Sequence, residues 1–250
     1  MPNDTNTGYD LFDYEFHGDL IPDELTAAGD SGAETVNVGL SGNKAGRASI
    51  LRLAPGNADD SMSEVSLGAL YYQAQDGHMW FEARVSMLDV SVSAMTMGFN
   101  DDALEDSNHI PVELATTTFT SNASTFIGFV FDADATNDNW HIFWVDDDND
   151  TSVAIADLNT GIAAADTTWA HLRVDVFDRG SGAQAGALFK VQQGTSEFQF
   201  DTRVELGKSA SSGTIDRDVA MVPHIGIEGR SGAALNLDID YMRGGKSRNA

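Results

Sequence analysis

Apolar positions recur along this chain with a period of two. In HMWFEARVSML, Met79, Phe81, Ala83, Val85 and Met87 fall on one side and Trp80, Glu82, Arg84 and Ser86 on the other, the pattern of a half-buried strand. His171–Phe177 repeats it, with Leu172, Val174 and Val176 against Arg173 and Asp175. In LNLDIDY, Leu235, Leu237, Ile239 and Tyr241 alternate with Asn236, Asp238 and Asp240. Thr125–Asp132 and His141–Val145 are almost continuously apolar, which suits strands covered on both faces. Further strands are read at Leu11–Phe16, Thr35–Leu40, Ala48–Leu53, Val90–Phe99, Leu114–Thr120, Ala187–Val191, Glu197–Val204 and Val222–Glu228. Asp76-Gly77, between Ser66–Gln75 and the 78–88 run, predicts a hairpin. Helix is expected only in two short stretches, Asp23–Ala28 and Ala54–Met62.

About a dozen strands, joined by Gly and Asx turns, predict an all-β fold: an antiparallel β-sandwich or jelly roll. No Pro-rich linker or change of composition divides the chain. The reading is a single domain over 11–243, with a polar N-terminal arm at 1–10 and a basic C-terminal tail at 244–250.

Composition narrows the function classes. The 250 residues contain no cysteine, which removes disulfide frameworks, thiolate zinc sites and thiol catalysis. Acidic residues number 39 against 14 basic ones, for a net charge of −25. The acids are 29 aspartates and 10 glutamates, and only four of the basic residues are lysine. Many aspartates fall in predicted turns, where the short carboxylate bonds nearby backbone N–H groups. The remaining excess repels phosphates and anionic lipid, so neither nucleic acid nor membrane is an expected partner. An acidic, lysine-poor surface also suits a saline, marine medium, where charges are screened within about a nanometre. MPNDTNTGYD has no basic n-region or apolar core, so no signal peptide is expected. No apolar run reaches the ~18–20 residues of a transmembrane segment.

An ordered series of segments carries a family resemblance. It runs FEARV (Phe81–Val85), GFNDD (Gly98–Asp102), FIGFVFDAD (Phe126–Asp134), WHIFWV (Trp140–Val145), TTWAHLRVDV (Thr167–Val176) and LNLDIDYM (Leu235–Met242). The series resembles concanavalin A-like (laminin G-like) jelly rolls of the kind found in phage virion structural proteins. That resemblance implies a non-enzymatic capsid decoration protein on the particle exterior. Its partners would be the major capsid protein or other virion proteins, and it would form a homo-oligomer on the particle. The acidic surface favours the outside, away from packaged DNA. Alternatives within the same fold are a tail or fibre component, a carbohydrate-binding module for host attachment, and a diverged glycan-degrading enzyme. Fold alone does not choose among them.

Candidate chemistry is sparse. Glycan cleavage needs paired carboxylates of opposed protonation, and no E-x-D-x-E strand occurs; Glu82 and Asp175 stand alone on their strands. Arg203-Val204-Glu205-Leu206 resembles the R-x-E-L strand of some alginate lyases, without the other strands those enzymes need. The six histidines (17, 78, 109, 141, 171 and 224) are scattered and no G-x-S-x-G elbow occurs. His141 and His171 are read as satisfied strand residues. Asp146, Asp148 and Asp150 have the D-x-D-x-D spacing of calcium loops, and Asp132, Asp134 and Asp138 form a second acidic turn. Calcium is therefore the candidate ion, although the fold requires no cofactor. Thr151 stands where such a loop uses glycine, so two solvated acidic turns are the simpler reading. For glycan, Trp140 beside Asp138 and Asn139 is the candidate platform; a Trp opening a strand also serves as a core anchor. Ser91, Ser93, Thr116 and Thr118 suit flat packing against neighbouring subunits.

Overall fold

The computed structural model describes residues 9–16, 21–29, 35–38, 50–68, 71–105, 109–146, 158–178, 185–205, 217–233 and 235–247. Along the chain run β1 (Tyr9–Tyr14), β2 (Thr26–Gly29), β3 (Thr35–Val38), β4 (Leu51–Ala54), β5 (Met62–Ser66), β6 (Met79–Met87), β7 (Ser93–Asn100), β8 (Val112–Ala115) and β9 (Thr118–Ser121). Then follow β10 (Phe126–Asp132), β11 (Asn139–Val145), β12 (Asn159–Ala163), β13 (Ala170–Phe177), β14 (Gly186–Gln193), β15 (Phe200–Glu205), β16 (Val222–Gly229) and β17 (Leu237–Ser247). One sheet has the order β15-β14-β13-β6-β17-β4-β3, with β1 also on β17. The other has the order β12-β11-β10-β7-β16-β5-β2. All named strand pairs are antiparallel, and the architecture is a β-sandwich jelly roll, as the alternation predicts.

The core lies between the two sheets. The first sheet contributes Phe81, Ala83, Val85, Leu172, Val174 and Phe189; the second contributes Met95, Met97, Phe99, Ile127, Phe129 and Ile225. Phe81 meets Phe99 at 6.1 Å and Phe129 meets Phe189 at 5.5 Å between ring centroids, the latter edge-on, a preferred aromatic geometry. The continuously apolar strands β10 and β11 are covered on both faces. Their outer side lies under the β8–β9 hairpin, whose Phe119 packs 4.5 Å from Phe143.

Several expectations change. Asp76-Gly77 makes no hairpin: β5 and β6 lie in different sheets, and residues 74–76 form a 3-10 turn that carries the chain across. Neither helical stretch forms; 26–29 is strand β2, and 54–62 runs from the end of β4 through irregular chain, bend and turn at 55–61 into β5. Leu114–Thr120 is not one strand but a hairpin, reversed at Thr116 with φ 57°. The tail assigned from Gly244 is strand through Ser247, paired with β1 from Tyr9. A bulge between Ile239 and Tyr241 breaks the alternation of LNLDIDY and turns Tyr241 away from the core toward the outer face. No described helix is long and apolar enough to cross a membrane.

Candidate functional site

The outer face of the first sheet is built from the polar halves of alternating strands. Register places Arg173 beside Glu82, and His171 beside Arg84. Glu82 is buried to 3 % exposure. It accepts Arg243 Nε at 2.7 Å and Arg173 Nη1 at 3.2 Å, and His171 Nε2 lies 2.9 Å away. Burial by itself would raise its pKa. The hydrogen bonds and charges of His171 and Arg243 outweigh that and hold the carboxyl down at about 2. Arg173 also forks onto Asp175 at 2.8 and 2.7 Å, and His78 reaches Asp175 at 2.9 Å. Glu82 and Asp175, isolated in sequence, are thus bridged by one guanidinium. Both are fixed as anions, which leaves neither able to supply a proton as a general acid.

Arginines on this face also lie over aromatic rings. Arg173 sits 4.6 Å from the Trp80 ring centroid, Arg84 4.8 Å from Trp169, Arg203 4.3 Å from Phe177 and Arg243 4.7 Å from Tyr241. Such cation–π contacts hold long side chains in one conformation.

At the end of β13 and β14 this face opens into a cavity of about 390 Å³ lined by Arg84, Thr167, Thr168, Trp169, His171, Gln192, Gly194 and Thr195. Its mouth is pinned by backbone geometry. Thr167, at φ 53°, donates its N–H to Met87 O at 2.7 Å; Gly194, at φ 64°, donates to Trp169 O at 3.1 Å. Tyr241 and Phe198 flank His171 at 5.9 and 4.9 Å between ring centroids. Arg84 is matched by Asp240 at 2.5 Å, so the cavity offers a guanidinium, hydroxyls, an amide and aromatic edges with little net charge.

Trp140, the tryptophan singled out from sequence for sugar stacking, is 1 % exposed. Period two turns it inward against Phe131, 5.6 Å between centroids, so no sugar can reach its ring. It has a supporting role instead. Its Nε1 donates to Gln193 Oε1 at 2.9 Å, and Gln193 Nε2 donates to Thr168 O at 3.2 Å. Asp138 is exposed, and Asn139 is tied to Asn159 at 3.0 Å. Of the calcium candidates, Asp148 and Asp150 lie outside the described residues. Asp146 is buried and accepts from Thr125 Oγ1 at 2.9 Å.

The outer face of the second sheet holds a buried ionic layer beneath the segments 101–105 and 109–125. Fully buried Glu64 and His224 meet at 2.7 Å, and Glu64 also accepts the Glu105 N–H at 2.9 Å. Burial raises the Glu105 carboxyl against the hydrogen bond from Asn100. Asp132, expected in a solvated acidic turn, is buried and receives both Arg230 Nε at 3.0 Å and Nη2 at 2.7 Å. Here a guanidinium neutralises the turn. Arg230 Nη1 also bonds Glu113 Oε1 at 2.9 Å and Glu228 Oε1. Burial pushes Glu228 up to about 7, against the pull of Arg230. Asp60, His109 and Glu228 bring one donor atom each to within 4.8 Å of one another.

No protein-family model and no curated protein matches the sequence. Solved structures do match its fold. A peanut lectin structure overlays with a TM-score of 0.57 at 12 % identity, covering 97 % of this chain and 99 % of the lectin. The Emp46p carbohydrate recognition domain in its metal-free form gives 0.52 at 10 % identity, over 88 % of this chain and 87 % of that one. A protein of unknown function from Shewanella oneidensis MR-1 gives 0.51 at 8 % identity, over 96 % and 86 %. At these identities the likeness establishes the concanavalin A-like β-sandwich fold and nothing finer.

Proposed function

We propose that this protein is a non-catalytic carbohydrate-binding domain that takes a neutral glycan in the cavity beside Trp169. The observation that carries the reading is that cavity itself. A tryptophan, an imidazole, an amide and three threonines converge on an open, nearly charge-balanced concavity set on rigid strands. Sugars present apolar C–H faces and rings of hydroxyls, which such a mixture meets with stacking and hydrogen bonds. An anionic glycan would face the field of a chain carrying −25. Sandwiches of this architecture include one solved as a carbohydrate recognition domain, which favours glycan over other polar ligands. Shell decoration, the leading expectation from sequence, draws no support from the structural likenesses, whereas the carbohydrate-binding alternative does. Host attachment through a glycan, the alternative, takes its place.

A glycan array probed with the full chain should give binding, and calorimetry on the hits should return a Kd. Trp169→Ala should weaken that Kd roughly thirtyfold, the size of a buried aromatic hot spot. Gln192→Ala should weaken it less, and Tyr71→Ala, exposed and outside the cavity lining, should leave it unchanged. An array without hits, or a Trp169→Ala protein that binds as well as wild type, would overturn the reading. Cosedimentation with virus particles in the absence of any glycan binding would restore decoration.

A further inference from the structure

We propose that Asp60, His109 and Glu228, with Glu113 alongside, form a binding site for a divalent transition-metal ion of the zinc class. The site lies on the second sheet, on the opposite side of the sandwich from the glycan cavity, and does not depend on that cavity's function.

The geometry around His109 points to an ion. Its Nδ1 atom is buried within the cluster and has no hydrogen-bond partner. It lies 3.7 Å from Glu228 Oε1 and 3.8 Å from Glu113 Oε2. Those separations are too long for hydrogen bonds. They are close to the edge of a tetrahedral metal shell, where bonds of about 2.0–2.2 Å put neighbouring donors about 3.3–3.6 Å apart. Asp60 supplies a third oxygen within the same 4.8 Å span.

The donors are also held in place before any ion arrives. Asp60, in a left-handed conformation at φ 62°, donates its N–H to Gly229 O at 2.9 Å. Ile110, next to His109, donates its N–H to Glu228 Oε2 at 2.9 Å. Both flanking segments are therefore fastened to the end of β16, and Glu228 Oε1, which also accepts Arg230 Nη1, lies on the side toward His109.

Charge argues the same way. Asp60, Glu113, Asp132 and Glu228 surround a single guanidinium, Arg230, whose Nε and Nη2 bond Asp132 and whose Nη1 is shared between Glu113 and Glu228. Four carboxylates against one cation leave the cluster anionic, and an unneutralised buried carboxylate is costly. A dication would reduce that deficit. The imidazole selects against calcium, which prefers an all-oxygen shell, and toward ions that accept mixed nitrogen and oxygen donors.

The test uses the full chain, dialysed against EDTA and then titrated with ZnCl2 by calorimetry and thermal melting. One equivalent of zinc should bind, and the Tm should rise by roughly 5 °C at about a hundredfold excess over Kd. His109→Ala should abolish both effects while leaving the metal-free Tm near wild type, since His109 is 37 % exposed and its Nδ1 bonds nothing. Asp60→Asn should weaken binding about tenfold or more, a typical cost of disturbing a metal site. The proposal fails if zinc gives neither heat nor a Tm shift. It fails equally if His109→Ala binds zinc like wild type, or if calcium alone binds and zinc does not.

Discussion

His141 shows how a single buried group can set the acid limit of this fold. It is fully buried on the outer side of β11, where Val130 of β10 and Asn159 of β12 flank it in register. Phe119 covers it edge-on at 6.2 Å. Neither ring nitrogen has a side-chain partner; the Asn139 backbone and the Asp132 charge favour the protonated ring, but less than burial opposes it. Burial therefore drives its pKa down to about 4. The unfolded chain, with an ordinary imidazole near 6.5, binds the proton first. Stability contributed by the neutral ring is complete above about pH 6.5 and is lost as pH falls toward 4, by about 3 kcal/mol in all. His141→Leu should remove that component and hold the urea midpoint higher than wild type at pH 5. Equal loss in both proteins between pH 6.5 and 4 would show that His141 is not the responsible group. Sequence reading expected a satisfied histidine here, because alternation shows which face a residue takes but not what covers that face. The same limit explains the tryptophans: period two turns Trp140 inward, and only the fold shows that Trp169 borders a cavity.

Strand identity was legible wherever one face is apolar and the other polar, as in β6 and β13, because the pattern reports the exposure of each face directly. It failed where long-range pairing decides. Asp76-Gly77 has hairpin chemistry, yet Met221 rather than the next strand bridges Tyr72, and β6 finds its partners in β13 and β17. Tyr241 is displaced by a bulge that no local signal announces. Glycines mark another non-local constraint. Gly98 of β7 and Gly128 of β10 stand opposite each other. A Cβ built on Gly128 would lie 2.3 Å from Met97 O and 2.7 Å from Gly98 Cα. Those are backbone atoms and cannot move aside, so the pair sets how closely the two strands approach. Gly128→Ala should therefore destabilise the sandwich by about 2–3 kcal/mol or more through overpacking. A urea midpoint within error of wild type would show that the strands can part without cost. Gly161, whose added Cβ would meet nothing within 4 Å, is the contrasting position, although its φ of 74° adds backbone strain on substitution.

Charge is unevenly spread over the whole molecule. Arg52, Arg84, Arg173, Lys190, Arg203, Arg243 and Lys246 all lie on strands of the first sheet. Several are matched there to acids, including Asp238, Asp240, Glu82 and Asp201. That face is close to neutral, so most of the −25 resides elsewhere on the surface. Salt then acts on two opposed quantities. It weakens exposed ion pairs, which contribute about 0–1 kcal/mol each, and it relieves repulsion among carboxylates spread over the remaining surface. The pairs around Glu82 and Asp238 are short and their carboxylates are buried, although the arginines are partly exposed, so they are screened less than fully exposed pairs. The dispersed repulsion acts through solvent and collapses as the Debye length shrinks from about 30 Å at 0.01 M to about 3 Å at 1 M. Relief of repulsion outweighs the loss of pairing. Raising NaCl from about 0.01 M to about 0.5 M should lift the Tm by roughly 3–6 °C, equivalent to 1–2 kcal/mol for a chain of this size. Differential scanning calorimetry at fixed pH would measure it. A flat or falling Tm would mean that the ion pairs of the first sheet carry more of the fold than the repulsion of the rest opposes.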